Sequence, residues 1–450
     1  MNQTELRGAF SLAAIYLMRM LGLFMIMPVI ALLAPAYPDY SPMLVGLAIG
    51  GYGLTQAIMQ IPMGVLSDRF GRKPIIAIGL AMFAGGSVLA ALADSLWMVV
   101  VGRVLQGAGA IAGAVMALAA DLSRENQRAK VMAIIGIAIG FSFYLAVILG
   151  PIIAADMGLS GIFMVTAVLA LACYPLLFIG VPSIQQTAPK GDTLPTWQGI
   201  RGLVSEPSLW RLNVSVLLLH CLITLIFVQL PVQFSKMGWE LSEHWAVYLP
   251  ILFASILGMA ILMGLQRKML GGHVMRFSIF LLVIACSGMS LFLNDSFYLF
   301  VFMWLFFSAF NYLEANFPAL VSSIAPAGKK GSAMGIYASF QFFGAFLGGL
   351  ATGYLSDHYT PATILLFASI MCLLWVFLFA GFHGTQHLKR YTLAYHLPGV
   401  STEELRELFG QLDGIIDLTI VPAESAVYLK VDAQVFDLQA ARRITNPDSA

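Results

Sequence analysis

Residues 64–74, GVLSDRFGRKP, place four formal charges within six positions, between two apolar runs that are each long enough to cross a membrane. The rest of the chain avoids charge, since its 450 residues are 59% hydrophobic and only 10% charged. A bilayer core of about 30 Å takes roughly 20 apolar residues per helix, and the sequence supplies such runs repeatedly. This pattern predicts an all-α polytopic membrane protein.

The apolar runs predict twelve transmembrane helices in two six-helix bundles. The predicted spans are residues 8–33, 44–67, 74–97, 98–121, 129–155, 160–182, 208–232, 244–265, 273–294, 296–323, 331–355 and 361–383. They divide the chain into an N-terminal bundle at 1–182, a cytoplasmic linker at 183–207 and a C-terminal bundle at 208–384. MGVLSDRFG at 63–71 and MGLQRKMLG at 263–271 both follow the second span of their half, which indicates parallel repeats with a substrate site between them.

Basic residues fall almost entirely on one side of these spans, and this asymmetry predicts the orientation. The basic side includes Arg69, Arg72, Lys73, Arg124, Lys130, Lys190, Arg201, Arg267, Arg276, Lys329 and Lys389. The opposite loops hold Lys236 alone, beside acids such as Asp39, Asp94, Glu240 and Asp295. We therefore predict a multi-pass membrane protein with both termini in the cytoplasm.

Residues 385–450 have a different character. YTLAYHL at 391–397, IDLTIVP at 416–422 and AVYLKV at 426–431 alternate as strands do, with helical patterns after the first and the last. The order β-α-β-β-α predicts a small cytoplasmic α+β domain of ferredoxin-like kind, with an unknown ligand or partner. No metal site is predicted there, because all four cysteines of the chain lie in the apolar spans without C-x-x-C spacing.

Polar side chains within the predicted spans are the candidates for proton coupling, because each is costly in a bilayer. Glu314, in FNYLEANFP, is the only carboxylate well inside a span, and a buried carboxyl can exchange protons. His220 shares a helix face with Asn213, and imidazole titrates near neutral pH. Arg19 and Arg103 are further candidates. For each of these residues the competing interpretation is a structural side chain held by fixed hydrogen bonds.

Amides and aromatic rings with few fixed charges are typical of a site for a lipophilic small molecule. The candidate substrate-binding residues are Tyr52, Gln56 and Gln60 at one-turn intervals on span 2, Asn213 on span 7, Asn311 on the Glu314 face one turn earlier, and Tyr337, Phe340 and Gln341 on span 11. Packing alone would also explain most of these aromatic residues.

Four local patterns together resemble the major facilitator superfamily, and in particular its drug:proton antiporters. GVLSDRFGRKP resembles the signature of the loop between the second and third helices, and RVLQGAG at 103–109 resembles that of the fourth helix. LGLFMIMPV at 21–29 and GPIIAA at 150–155 resemble antiporter motifs, although Ala154 and Ala155 stand where small glycines are usual. The resemblance covers about residues 8–384.

This resemblance implies a conformational latch in the opening stretch. Asp68 would engage the N-terminal end of span 11 in the outward-facing state, and Arg72 with Asp121 would extend the network. The resemblance also favours Arg103 in proton coupling. The competing interpretation is a topology anchor, which explains the basic residues but not Asp68. The latch signature comprises Gly64, Asp68, Arg69, Gly71, Arg72, Lys73 and Asp121.

The residues and the resemblance together predict a proton-coupled antiporter that exports small amphipathic or drug-like compounds across the bacterial inner membrane by alternating access. Neither catalysis nor a cofactor or metal is predicted, and the absence of G-x-x-x-x-G-K-[ST] excludes an ATP-driven pump within this chain. The expected partners are a small-molecule substrate, protons and the lipid bilayer, without nucleic acid. The alternatives are an uptake symporter for a sugar or organic acid, and a membrane sensor that signals through residues 385–450.

Overall fold

The computed structural model describes residues 1–182, 197–267, 271–326, 330–382, 388–395, 402–421, 426–432 and 435–445. Most of the predicted linker, as well as Lys190, Lys329 and part of the second repeat segment at 263–271, lies outside these ranges. Fourteen helices precede residue 382: α1 (Gln3–Phe24), α2 (Ile30–Leu33), α3 (Pro42–Phe70), α4 (Arg72–Ala91), α5 (Leu96–Ala108), α6 (Ala112–Leu122), α7 (Glu125–Pro175), α8 (Trp197–Ser205), α9 (Pro207–Lys236), α10 (His244–Gln266), α11 (Gly271–Leu291), α12 (Ser296–Ile324), α13 (Lys330–His358) and α14 (Pro361–Leu378).

One of these helices crosses the membrane region twice. α7 has 51 residues, which as a straight helix would extend about 77 Å, more than twice the bilayer core. Gly158 has the non-helical angles φ 66° and ψ −164°, and the contacts with α1 change direction there. The contact pairs are Glu5 with Arg124 and Phe24 with Phe143 before the turn, then Gly22 with Thr166 and Ile15 with Cys173 after it.

The predicted spans 129–155 and 160–182 are therefore confirmed as two antiparallel crossings. Eleven helical segments of the described chain are long and apolar enough to span a membrane. One of them, α7, reverses at Gly158 and crosses twice, so the eleven segments make twelve crossings. The predicted membrane fold class is confirmed.

The two halves repeat the same interhelical contacts. In the first half Nε of Arg103 on α5 donates to Ala48 O on α3 at 2.9 Å. In the second half Nε1 of Trp304 on α12 donates to Ala254 O on α10 at 3.0 Å, and α12 and α10 are the fourth and second spans of their half. A second such pair lies at the helix ends: Lys73 donates to Val181 O at 2.7 Å, and Arg276 donates to Ala380 O at 2.5 Å. These matched bonds support the parallel repeat that the sequence predicts.

Charge distinguishes the two ends of the bundle. We call the end with Arg69, Arg72, Lys73 and Arg124 the basic face, and the end with Asp39, Asp94 and Asp295 the acidic face. At the basic face Arg124 pairs with the buried carboxylate of Glu5, with Nε and Oε1 separated by 2.9 Å. This ion pair ties the start of α7 to the start of α1.

The halves meet along α3 and α13, and this contact is uneven. Toward the acidic face, a Cβ atom on Gly50 would lie 2.9 Å from Phe346 O, and one on Gly353 would lie 2.9 Å from the backbone at the start of α3. Toward the basic face, a Cβ atom on Gly64 or on Gly335 would have no described atom within 4 Å. The helices therefore diverge toward the basic face, and the halves are closed at the acidic face.

Asp39 secures the loop at the acidic face to the start of α5. Its two carboxylate oxygens accept from Leu96 N at 2.7 Å and Trp97 N at 3.0 Å. These first-turn N–H groups have no partner within the helix. Their hydrogen bonds hold the pKa of the Asp39 carboxyl below its ordinary value, because they favour the charged form.

Asp39→Asn should lower the melting temperature of the purified protein in a pH-dependent way. Because the pKa of Asp39 is lower in the folded state, its contribution is complete above the ordinary aspartate value of about 3.9 and is lost as pH falls through the folded value. The wild-type-minus-variant difference should stay constant from about pH 7 to about pH 5 and shrink below about pH 4. A difference that is unchanged at the lowest pH at which both proteins fold would contradict this assignment.

The C-terminal region forms a separate small sheet. Its elements are β1 (Leu388–Ala394), α15 (Thr402–Gly410), β2 (Ile415–Val421), β3 (Ala426–Asp432) and α16 (Leu438–Thr445). The strands are antiparallel in the order β1-β3-β2, and Leu405, Phe409, Leu429 and Ala441 are buried in its core. The predicted order β-α-β-β-α is observed. The sequence predicts the last helix at about residues 433–443, and α16 begins later, where Asp437 accepts from Gln439 N at 2.8 Å.

Candidate functional site

Three polar side chains from three helices of the second half converge inside the membrane region. Nε2 of Gln341 on α13 lies 2.8 Å from Nε2 of His220 on α9 and 3.1 Å from Oε1 of Glu314 on α12. The His220 nitrogen and the Glu314 oxygen are 3.9 Å apart. The structure thus brings together two of the proton-coupling candidates, His220 and Glu314. Gln341, which the sequence predicts as a substrate-binding residue, bridges them.

The hydrogen bonds of His220 define which ring nitrogen carries its proton. Nδ1 lies 3.2 Å from the carbonyl oxygen of Val216, which can only accept, so Nδ1 is the donor and Nε2 accepts from the Gln341 amide. The Glu314 side chain is 35% exposed, and its Oε2 atom has no hydrogen-bond partner among the described residues. The array therefore offers two positions for a proton, Nε2 of His220 and the Glu314 carboxylate.

The first half holds a buried cation on α1. Arg19 of α1 is 1% exposed, and its Nη2 atom donates to Tyr52 Oη at 3.1 Å, Gln56 Oε1 at 2.9 Å and Gly109 O at 3.1 Å. Gln56 donates in turn to Gln60 Oε1 at 3.2 Å. The polar stripe predicted on α3 is thus buried and bonded around Arg19.

A second arginine lies on the ring face of Tyr52. The guanidinium carbon of Arg103 is 4.7 Å from that ring centroid. Its Nε donates to Ala48 O, and its Nη1 donates to Gln106 Oε1 at 2.8 Å. Within the described ranges neither Arg19 nor Arg103 forms an ion pair with a carboxylate. Arg103 thus has one interhelical hydrogen bond, to Ala48 of α3, and one within α5, to Gln106, as its structural interpretation requires.

Asn311 joins the two halves, and its amide nitrogen bonds groups outside the Glu314 array. Its Nδ2 atom donates to Tyr144 Oη of α7 at 3.2 Å and to Ser255 Oγ of α10 at 2.9 Å. A three-residue offset turns a helical side chain by about 60°. That rotation carries Asn311 toward α7 and α10, whereas Glu314 points toward α9 and α13.

Aromatic rings continue this contact between the halves. The Phe143 ring centroid is 5.4 Å from that of Phe24 in the first half and 5.6 Å from that of Phe227 in the second. Tyr144 lies 6.4 Å from Phe253 of α10. Such rings provide apolar area where the two halves meet. Sequence reasoning missed Tyr144, Ser255, Phe143 and Phe227, because aromatic and small residues in an apolar run carry no spacing signal.

The remaining candidate residues, Asn213, Tyr337 and Phe340, lie on two of the helices that form the Glu314 array, α9 and α13. Asn213 and Tyr337 are buried, and their Oδ1 and Oη atoms have no hydrogen-bond partner in the part of the chain that the structure describes. Phe340 is half-buried next to Gln341. No three histidine, cysteine or acidic side chains of the described residues lie close enough to hold a metal ion.

The opening stretch forms a charged network at the basic face. Asp68 pairs with Arg72 one turn later, and Nε of Arg72 lies 3.3 Å from Asp121 Oδ2. Gly71 ends α3 with φ 101°, a backbone conformation that favours glycine. The contact of Asp68 with the start of span 11 stays a prediction, because residues 327–329 and the side chain of Lys330 lie outside the description.

Two repeated bundles that close around buried polar groups define a membrane carrier. The chain belongs to the major facilitator superfamily, whose sequence profile matches residues 12–349 and again residues 272–411. It is 37% identical over 449 residues to the inner membrane transport protein YajR of Escherichia coli (strain K12), with 98% of each chain covered. The protein is therefore a multi-pass membrane transporter of this family, as the resemblance predicts.

Two further comparisons show how broad this relationship is. The class B tetracycline resistance protein of Escherichia coli is 30% identical over 185 residues, which cover 40% of this chain and 45% of that protein. The structure of a D-xylose–proton symporter matches with a TM-score of 0.69 at 15% identity, covering 84% of this chain and 98% of that one. The second likeness shows the shared fold alone.

Proposed function

We propose that this transporter is a proton-coupled antiporter that exports small amphipathic compounds across the bacterial inner membrane. The observation that carries the proposal is the His220–Gln341–Glu314 array, in which one amide bonds two proton acceptors and each of the three side chains comes from a different helix. The relative YajR is named an inner membrane transport protein, which supports the same location for this chain. The proposed domains keep the predicted limits of 1–182, 208–384 and 385–450.

Proton binding would rearrange this array. When both acceptors are free, the two N–H groups of the Gln341 amide serve His220 and Glu314 together. A proton on Nε2 of His220 makes that nitrogen a donor, so the bond from Gln341 is lost and the imidazolium faces the Glu314 carboxylate. A proton on Glu314 removes the negative charge. Both events act on α13, the helix that packs against α3 of the other half.

The asymmetry of basic residues supports a cytoplasmic basic face. In this orientation the divergence of α3 and α13 corresponds to an inward-facing carrier, closed toward the periplasm. The Asp68 side chain is 43% exposed beside Arg72, which suits a latch that is released in this state. Closure of the basic face would bring α13 toward Asp68.

The sign of coupling tests the proposal in everted membrane vesicles with an acidic lumen. A compound that the antiporter takes into the lumen should release protons and dissipate the pH gradient. An uptake symporter would instead acidify the lumen further when the compound is added. Deletion of residues 385–450 distinguishes a carrier from a membrane sensor. A carrier retains at least part of its flux without that domain, whereas a sensor loses its output.

Asp68→Asn should reduce transport strongly while leaving the folded protein intact. An exposed ion pair contributes only about 0–1 kcal/mol to stability, so the melting temperature should change little. If Asp68 is a latch, the outward-facing state loses its tie and the transport rate falls. Asp357→Asn, an equally conservative change at the exposed end of α13, serves as control. If Asp68→Asn transports as well as Asp357→Asn does, residues 64–74 serve only as a topology anchor.

A further inference from the structure

The two polar clusters carry opposite, incompletely satisfied charges. In the first half, Nε and Nη1 of Arg19 are buried and have no acceptor among the described residues. These two atoms carry three of the five N–H bonds of a guanidinium. In the second half, Oε2 of Glu314 is buried and has no donor within the same described set. A cation lacks acceptors on one side, and an anion lacks donors on the other.

A purely structural role leaves these N–H groups of Arg19 without acceptors, because the Phe83 ring that faces the guanidinium at 5.4 Å offers only a cation–π contact. Leaving a buried donor without a partner costs about 1–3 kcal/mol, and more when the group is charged. Arg103 provides the comparison within the same cluster: it is also 1% exposed, yet its Nε and Nη1 both have acceptors. The free N–H groups of Arg19 therefore indicate a partner that is not part of the protein.

The two clusters lie close to one another across the contact of the halves. Arg19 bonds the hydroxyl of Tyr52, and the Tyr52 ring centroid is 6.2 Å from that of Phe342 on α13. Phe342 directly follows Gln341, whose amide bonds Glu314. One ring–ring contact thus separates the Arg19 cluster from the Glu314 array, so a small molecule can reach both when this contact opens.

We propose that the transported compound is a zwitterion, with a carboxylate for Arg19, a protonated amine for Glu314 and an apolar body for the rings of Tyr52 and Phe342 between them. Guanidinium–carboxylate and ammonium–carboxylate bonds are the stronger, charge-assisted kind. The amine and the coupling proton then compete for one carboxylate, which gives exchange and not co-transport. The inference rests on the proposed antiport and names its substrate class.

A matched set of indole compounds tests the inference. Tryptophan has both charges, tryptamine has only the amine, and indole-3-propionate has only the carboxylate. Each is added to the purified transporter, and the rise in melting temperature reports binding, since a ligand of the folded state stabilises it. Tryptophan should bind at least about tenfold more tightly than either analogue, a difference of about 1.4 kcal/mol. Equal binding of tryptamine, or no binding of tryptophan, would overturn the inference.

Variants of Arg19 complete the test. Arg19→Gln should reduce the affinity for tryptophan to that for tryptamine, and Arg19→Lys should restore part of the preference because it keeps the charge. Arg276→Gln, which removes an arginine bonded to the Ala380 carbonyl at the basic face, should leave all three affinities unchanged. A tryptophan preference that persists in Arg19→Gln would exclude Arg19 as the carboxylate site.

Proton release in everted vesicles separates this inference from the proposed function. If tryptamine releases protons as well as tryptophan does, antiport stands and the zwitterion assignment fails. If tryptophan binds through Arg19 but releases no protons, the zwitterion site stands and antiport fails.

Discussion

Glu314→Gln is expected to reduce substrate-driven proton release to the level of vesicles without the transporter. Glutamine has nearly the same shape, and its carbonyl oxygen can still accept from the Gln341 amide that now lies 3.1 Å from Oε1. It cannot take up a proton near neutral pH. The bundle should therefore fold normally, whereas substrate binding loses its effect on protonation. The measurement is the dissipation of a preset pH gradient in everted vesicles on addition of substrate.

Glu240→Gln is the matched control, because this exposed residue of the loop before α10 undergoes the same chemical change far from the array. It should show wild-type proton release. Melting temperatures of both variants check that the protein is folded. Proton release that is undiminished in Glu314→Gln would remove this residue from the mechanism and leave His220 as the proton site.

Gly349→Val is expected to stop transport by preventing closure at the acidic face. A Cβ atom at position 349 would overlap the carbonyl oxygen of Gly46 and lie 3.0 Å from Gly50 N, and both are backbone atoms that cannot move aside. Overpacking of this kind costs about 1–3 kcal/mol. A cost of about 2 kcal/mol to the closed state alone shifts the equilibrium roughly 30-fold toward the state open at the acidic face.

Side-specific labelling measures this shift. A cysteine introduced by Ala57→Cys lies where α3 meets α13, and an impermeant maleimide should reach it from the acidic face in Gly349→Val but not in the parent. Gly85→Val is the control, because a Cβ atom there has no described atom within 4 Å. Unchanged labelling together with unchanged transport would show that the α3–α13 contact does not gate the carrier. Gly349→Ala, which adds only the overlapping Cβ, replaces the valine variant if that protein does not fold.

The sequence was most informative where a residue departs from its surroundings. Glu314 and His220 stand out in apolar spans, because a titratable side chain in a bilayer is costly. The structure indeed places them 3.9 Å apart. Gln341 gave no such signal of its role, since an uncharged amide is tolerated in many positions of a helix. Its place between two proton acceptors depends on how three helices pack.

The arginines show the same division. The sequence identified Arg19 and Arg103 as costly, and it identified Tyr52, Gln56 and Gln60 as a stripe. It did not indicate that the stripe bonds Arg19, or that Arg103 has acceptors on atoms where Arg19 has none. The presence or absence of acceptors on Nε and Nη1 distinguishes the structural arginine, Arg103, from the candidate binding group, Arg19.

The sequence by itself determined the membrane fold, the reversal that makes two crossings of α7, and the succession of strands and helices along the C-terminal region. These features follow from the transfer free energy and local geometry of each segment alone. Only the tertiary structure decided which face of the bundle is closed, which polar groups meet and which remain without partners. Those outcomes depend on contacts of a few ångströms between helices far apart in sequence, such as α3 with α13, and local periodicity contains no information about such contacts.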